Sequence, residues 1–166
     1  QRRIPQHRHW YGLAIFGGEV NVRPNDEDDD AYIFAELSTP LHHNDRIRTL
    51  TRSGAILSFS DMSTFVMKED TTIVLDIATE HKSKIMMVAG NVWTNFKRMW
   101  IDGTMEIEMN QGVLGTKGTT FICEETNGVS TLKVLEGTVE FTSKATGEVV
   151  LVSDGQMISA DAYGLG

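Results

Sequence analysis

Along most of this chain apolar and polar residues alternate one for one. Glu19-Val-Asn-Val22, Ala55-Ile-Leu-Ser-Phe59, Thr104-Met-Glu-Ile-Glu-Met109 and Thr138-Val-Glu-Phe-Thr142 each send every second side chain to one side, the period of a strand with one wet face. Turn signals separate these runs: Arg52-Ser-Gly54, Ile101-Asp-Gly103, Asn127-Gly128, Ala145-Thr-Gly147 and Ser153-Asp-Gly155. Turn signals of this kind between alternating runs are those of a strand-rich domain. Asn127-Gly128 and Asp154-Gly155 predict hairpins, because these residue types tolerate the positive φ of primed two-residue turns. No segment sustains helical spacing for three turns. Asn95-Phe-Lys-Arg-Met-Trp100 spaces its apolar residues helically but is too short to nucleate a helix. The pattern predicts an all-β fold, a sandwich of mostly short strands with little or no helix.

A second regularity lies over the first. Ile15-Phe-Gly-Gly-Glu-Val20, Met87-Val-Ala-Gly-Asn-Val92 and Val134-Leu-Glu-Gly-Thr-Val139 all place Gly-x-Val after an apolar run. Gly103 and Gly112 follow Gly90 much as Gly147 and Gly155 follow Gly137, with alternating strands between them. The recurrence predicts repeated, solenoid-like strand units stacked in register.

Length and composition narrow the reading. At 166 residues with 40% hydrophobic and 23% charged positions, the chain reads as one domain, 1–166, with a full core. Residues 1–11, with Arg2, Arg3 and Arg8, are expected to form a flexible arm, and the acidic run inside 24–31 an exposed loop insertion. A net charge of −8 and the lack of a basic stripe later in the chain exclude a nucleic-acid partner. No apolar run reaches the ~18 to 20 residues of a membrane helix, and the first residues carry no signal-peptide pattern. The single Cys123, in Thr-Phe-Ile-Cys-Glu, fits a small buried apolar residue and excludes an intramolecular disulfide.

Candidate chemistry is sparse. His7-x-His9 and His42-His43 with Asp45 lack the spacing of a metal site, and a calcium loop starting at Asp26 would place Ala31 at the glycine position and Leu37 at the bidentate glutamate. No metal or other cofactor is expected. No nucleophile elbow, phosphate loop or dinucleotide fingerprint occurs. Glu106 and Glu108 share a strand face and are the best carboxylate pair for a hydrolase, although an alternating wet face serves solubility first. Trp93 and Trp100 are candidates for partner contact, against the commoner use of Trp as a core anchor.

From Asn44 onward the order of signals resembles the FecR-like domain, the extracytoplasmic module of bacterial regulators that relay iron-siderophore signals and of many surface proteins. The residues that carry the resemblance are Asn44-Asp-Arg-Ile-Arg-Thr49, Gly54-Ala-Ile-Leu-Ser-Phe-Ser-Asp-Met-Ser63, Ala89-Gly-Asn-Val-Trp93, Gly115-Thr-Lys-Gly-Thr-Thr-Phe121, Val134-Leu-Glu-Gly-Thr-Val139 and Gly155-Gln156. Asn44 stands where the family usually has Gly, Met62 where Asp-Gly-Ser is usual, and Lys117 where Arg commonly precedes Gly-Thr. In Lys117-Gly-Thr-Thr-Phe121, Gly118 is expected to allow close backbone approach, Thr119 to cap the turn and Phe121 to enter the core. Lys117, Gly118 and Thr119 are also candidate partner contacts.

The resemblance implies a non-enzymatic sensing, docking or assembly module outside the cytoplasm, in the periplasm, at the cell surface or secreted, whose partner is another protein domain. A full anti-sigma regulator of this kind would touch the membrane only through segments outside this chain. The competing expectation is a carbohydrate- or cell-wall-binding β-module using Trp93, Trp100 and Tyr32 as stacking platforms.

Overall fold

In a computed structural model of the chain, the described residues are 10–15, 18–24, 32–36, 39, 41–59, 63–79, 82–96, 104–116 and 118–166. Among them the alternating runs become strands: β1 (Trp10–Ile15), β2 (Val20–Arg23), β3 (Ile33–Phe34), β4 (Arg46–Thr49), β5 (Ala55–Phe59), β6 (Thr64–Met67), β7 (Thr72–Thr79) and β8 (Lys82–Phe96). They continue with β9 (Thr104–Glu108), β10 (Gly112–Thr116), β11 (Thr119–Thr126), β12 (Val129–Glu136), β13 (Thr138–Ser143), β14 (Val149–Ser153), β15 (Met157–Asp161) and β16 (Gly164–Leu165). The described residues contain no helix, and so none long and apolar enough to cross a membrane. The fold is all-β.

All the strands belong to one continuous sheet bent into two layers. The front layer runs β1, β5, β6, the C-terminal half of β8, β11, β12, β15 and β16. The back layer runs β3, β2, β4, β7, the N-terminal half of β8, β9, β10, β13 and β14. Every pairing is antiparallel except β8 with β9. The inward positions of both layers, among them Ile47, Leu57, Phe65, Leu75, Leu114, Phe121 and Phe141, are fully buried in one core. Their burial is the main driving term for folding.

The Gly-x-Val recurrence marks the places where the chain changes layer. Gly18 lies between β1 in front and β2 behind, Gly137 between β12 in front and β13 behind, and Gly90 within β8 itself. Gly90 sits at φ +104°, and a Cβ there would come within 2.5 Å of the Thr71 Cα. The bend therefore needs both glycine's access to positive φ and its missing side chain. Thr71 seals it, its Oγ1 accepting the Asn91 N–H at 3.0 Å. Ser53 does the same beside Gly18, with Glu19 N–H donating to its Oγ at 2.7 Å. The three are not copies traversed alike: the chain passes from front to back at Gly18 and Gly137 but from back to front at Gly90.

The bend also shifts the phase of β8. Ile85 and Met87 point inward before it, Val92, Thr94 and Phe96 after it, so odd positions are buried on one side of Gly90 and even positions on the other. Two turn expectations separate here. Asn127-Gly128 closes a hairpin between β11 and β12, both residues at positive φ. Ser153-Asp-Gly155 does not, because β14 pairs β13 in back while β15 pairs β12 in front. This turn is another layer crossing, its Asp154 carboxylate accepting the Gly137 N–H at 2.8 Å. Asn44, at the family's glycine position, takes φ +68°, which Asn adopts more readily than most residues. The acidic run 25–30, most of the arm, Met62, Lys117 and Trp100 lie outside the described residues.

Candidate functional site

The outward face of the front layer carries a row of register partners: Ile56, Val66, Trp93, Ile122, Lys133 and Met157, one per strand from β5 to β15. Trp93 stands at its centre, 44% exposed. The phase shift at Gly90 puts it there, since the alternation set by Ile85 and Met87 would have turned position 93 into the core. Met157 and, on β12, Leu135 are more than half exposed, at 63% and 52%. Five of the six positions are apolar, and an exposed row of that kind is a surface suited to contact.

Two depressions flank Trp93. One is an open cleft of about 550 Å³ bounded by Arg52, Ser53, Lys68, Glu69, Asn91 and the indole. It forms because three layer crossings stack at one edge. Asp70 N–H donates to the Leu50 carbonyl at 3.2 Å, Lys68 N–H to the Asn91 carbonyl at 3.0 Å, and Arg52 N–H to Glu69 Oε1 at 2.8 Å. The other is a hollow of about 170 Å³ between Trp93, Val66, Thr120 and Leu135, walled mostly by carbon.

The electrostatics of the cleft are uneven. The Lys68 ammonium lies 5.0 Å from the centre of the Trp93 ring, within cation–π range. Glu124 is matched by Lys133 at 3.2 Å and accepts the Asn91 Nδ2 proton at 2.8 Å. That second bond fixes the Asn91 amide and leaves its Oδ1 buried without a hydrogen-bond partner. Neither Arg52 nor Lys68 is ion-paired to a carboxylate among the described residues.

Other candidate groups are placed elsewhere and tied down. Glu106 and Glu108 face outward from the back layer across Lys84, which lies 3.6 Å from Glu106 and 2.8 Å from Glu108. Lys144 binds Glu108 from the other side at 2.6 Å. Hydrogen bonds from Lys144 and then Lys84 hold the Glu108 carboxyl below its usual range, the opposite of what a general acid needs. His42 and His43 turn to separate carboxylates, Asp45 and Asp76, each at 3.6 Å. No cluster of three metal-ligating side chains occurs among the described residues. Cys123 is buried in the core, where desolvation first and Glu125 second push its thiol pKa far up.

Tyr32 stacks on Arg48 of the back layer at 3.7 Å, so it shares no platform with Trp93 of the front layer. Phe121 is fully buried. Gly118, however, makes no close approach, since a Cβ there would meet only the Phe96 carbonyl at 3.9 Å. The crowded glycine is Gly137, whose Cβ would fall 2.3 Å from the Thr119 methyl. Thr119 itself is buried, its hydroxyl 2.7 Å from that of Thr116, and it is Thr116 that accepts the Gly118 N–H, at 3.4 Å.

Comparison with known proteins decides the family. A family model described as FecR protein matches residues 45–140, more than half of the chain. The chain belongs to the FecR family. The match runs from the start of β4 into β13, so this FecR chain carries within it every described residue of the two depressions beside Trp93. A search of curated proteins found no match. Two solved structures, at 2.50 and 1.65 Å resolution, of a protein assigned as an anti-sigma factor from Parabacteroides distasonis share the fold at a TM-score of 0.62 and 14% identity. The alignment covers 70% of this chain and 55% of that one, so the chain spans about half the length of the protein it matches.

Proposed function

We propose that this FecR chain is a non-enzymatic docking module of an extracytoplasmic signalling protein, and that it receives another protein domain on the outward face of the front layer. The observation that carries the reading is Trp93: a large aromatic held outward at the centre of an apolar row, within the matched family segment. Large aromatics in partly desolvated settings dominate protein interfaces. Catalysis is disfavoured because the carboxylates, imidazoles and thiol discussed above each lie against a neighbouring side chain or are buried. The carbohydrate reading is weaker, because Lys68 sits over the Trp93 ring and the other described aromatic candidate, Tyr32, faces away on the back layer.

The test is site-specific photocrosslinking in the full-length protein that contains this chain, expressed in its native bacterium. A photoreactive amino acid at Met157 or Leu135 is expected to give one discrete protein adduct outside the cytoplasm, and the same probe at Glu140 on the back face none. Absence of any protein adduct from the front face, or recovery of polysaccharide alone, would overturn the reading.

A further inference from the structure

We propose that the cleft and hollow on either side of Trp93 form one recognition site for an extended acidic segment of a partner protein, reading an apolar side chain and, two residues away, an Asp or Glu. The inference rests on the docking reading above and names the chemistry of the segment that docks.

Three observations define the ligand. The hollow of about 170 Å³ beside Trp93, lined by Val66 and Leu135, has the size and walls for one aliphatic or aromatic side chain. The cleft on the other side presents Arg52 and Lys68, two cations without carboxylate partners in a chain of net charge −8. Glu69 in the same lining accepts the Arg52 backbone N–H and keeps its negative charge, while Glu124, beside the lining, is held by Lys133 and Asn91, so the two cations outnumber the one carboxylate of the cleft. What is left over in the lining is one net positive charge.

Spacing joins the two depressions. Val66 faces the hollow and Lys68 the cleft, and they are separated by two residues of nearly extended chain, roughly 6.6 Å at the rise of a strand. A peptide lying extended along this edge repeats its own side chains on one face at the same interval. An apolar residue in the hollow therefore sets the residue two positions on opposite Lys68. A carboxylate there would gain a charge-assisted bond to Lys68 and could be gripped as a fork by Arg52. Lys68 already covers one part of the indole, which suits a carboxylate reaching the ammonium better than a sugar ring stacking flat on Trp93.

The experiment is selection of random dodecapeptides displayed on phage against the immobilised 166-residue chain, followed by fluorescence titration of the selected peptides. Peptides with an apolar residue two positions from Asp or Glu are expected to be enriched. Lys68→Glu and Trp93→Ala should each weaken them at least tenfold while the thermal melt stays within a few degrees of the parent. Peptides carrying Lys in place of the acidic residue should regain binding to Lys68→Glu and to no other form, which a merely structural role of Lys68 would not produce. Enrichment of sequences without an acidic residue, equal binding by Lys68→Glu, no enrichment at all, or tight binding of oligouronic acids in place of peptides would each overturn the proposal. The two readings fail separately. A protein adduct that survives Lys68→Glu in the full-length protein sinks this site and leaves docking standing, whereas no adduct from the parent protein sinks docking itself.

Discussion

The two outward faces of this molecule are made by the same strand and treated in opposite ways. On the back layer β8 contributes Lys84, whose charge is answered by Glu108 and Glu106, and Glu108 in turn by Lys144. On the front layer the same strand contributes Trp93 and Asn91, beside Arg52 and Lys68, neither of them ion-paired to a carboxylate among the described residues. Charges matched within a face leave a partner's charges little to pair with, even though the back layer also exposes apolar side chains such as Leu151. Charges left unmatched beside an exposed aromatic make it a place to bind, because a partner can supply what the fold withholds. The contrast between the faces says more about function than any single residue does.

The hardest way to break the contrast is to break the bend from which both faces hang. Gly90→Ala places a methyl 2.5 Å from the Thr71 Cα at φ +104°, where neither the neighbour's backbone nor the new residue can yield cheaply. The expected loss is about 3 kcal/mol or more, read by urea denaturation. Gly115→Ala is the control: nothing lies within 4 Å of its Cβ, so its midpoint should stay close to the parent's. Equal midpoints for the two variants would show that the bend at Gly90 is not what holds the layers together.

Thr71→Val asks how much of that bend is the hydroxyl. Thr71 is fully buried, accepts the Asn91 N–H and donates to the Glu69 carbonyl at 3.0 Å, so an isosteric methyl leaves a buried peptide N–H unmet. The cost should be about 1 to 3 kcal/mol by the same denaturation measurement. Since Asn91 and Glu69 both border the cleft, the variant should also blunt peptide binding on the front face while the Lys84–Glu108 contact in back persists.

These two variants mark the divide between what could be read in the chain and what could not. Alternation alone announced β5, β9 and β13, because each strand buries one face and wets the other, and period two records that directly. The three Gly-x-Val segments were legible as a recurrence, but their meaning as layer crossings needed the strand pairing. Asp154-Gly155 misled for the same reason: a positive-φ turn looks alike whether it returns the chain to its neighbour or carries it to the other layer. The cleft was harder still. Arg52, Lys68 and Asn91 lie far apart in sequence and meet only because their crossings stack at one edge, and simple alternation through β8 turns Trp93 inward. The phase shift at Gly90 was the one available signal, since Met87 and Val92 cannot both face the core without it.

On the back face the smallest effect carries the sharpest test. Glu108→Gln removes a carboxylate held by two lysines, but all three side chains are about 30% exposed, so the loss at neutral pH should stay below about 1 kcal/mol. Its pH dependence distinguishes pairing from packing. Because Glu108 titrates below its usual range when folded, its contribution is present above the unfolded value of about 4.3 and disappears as pH falls through the lower folded value. Lys84 is shifted upward by the same contact, so its share is present below the unfolded value of about 10.4 and disappears as pH rises through the folded value. The stability gap between parent and variant should thus be flat from about pH 5 to 10 and close in strong acid and strong base. Peptide binding at the Trp93 cleft, followed across the same series at neutral pH, should not change at all. A variant that weakened both would mean that the faces communicate through β8, and that the charges in back are not spectators of what docks in front.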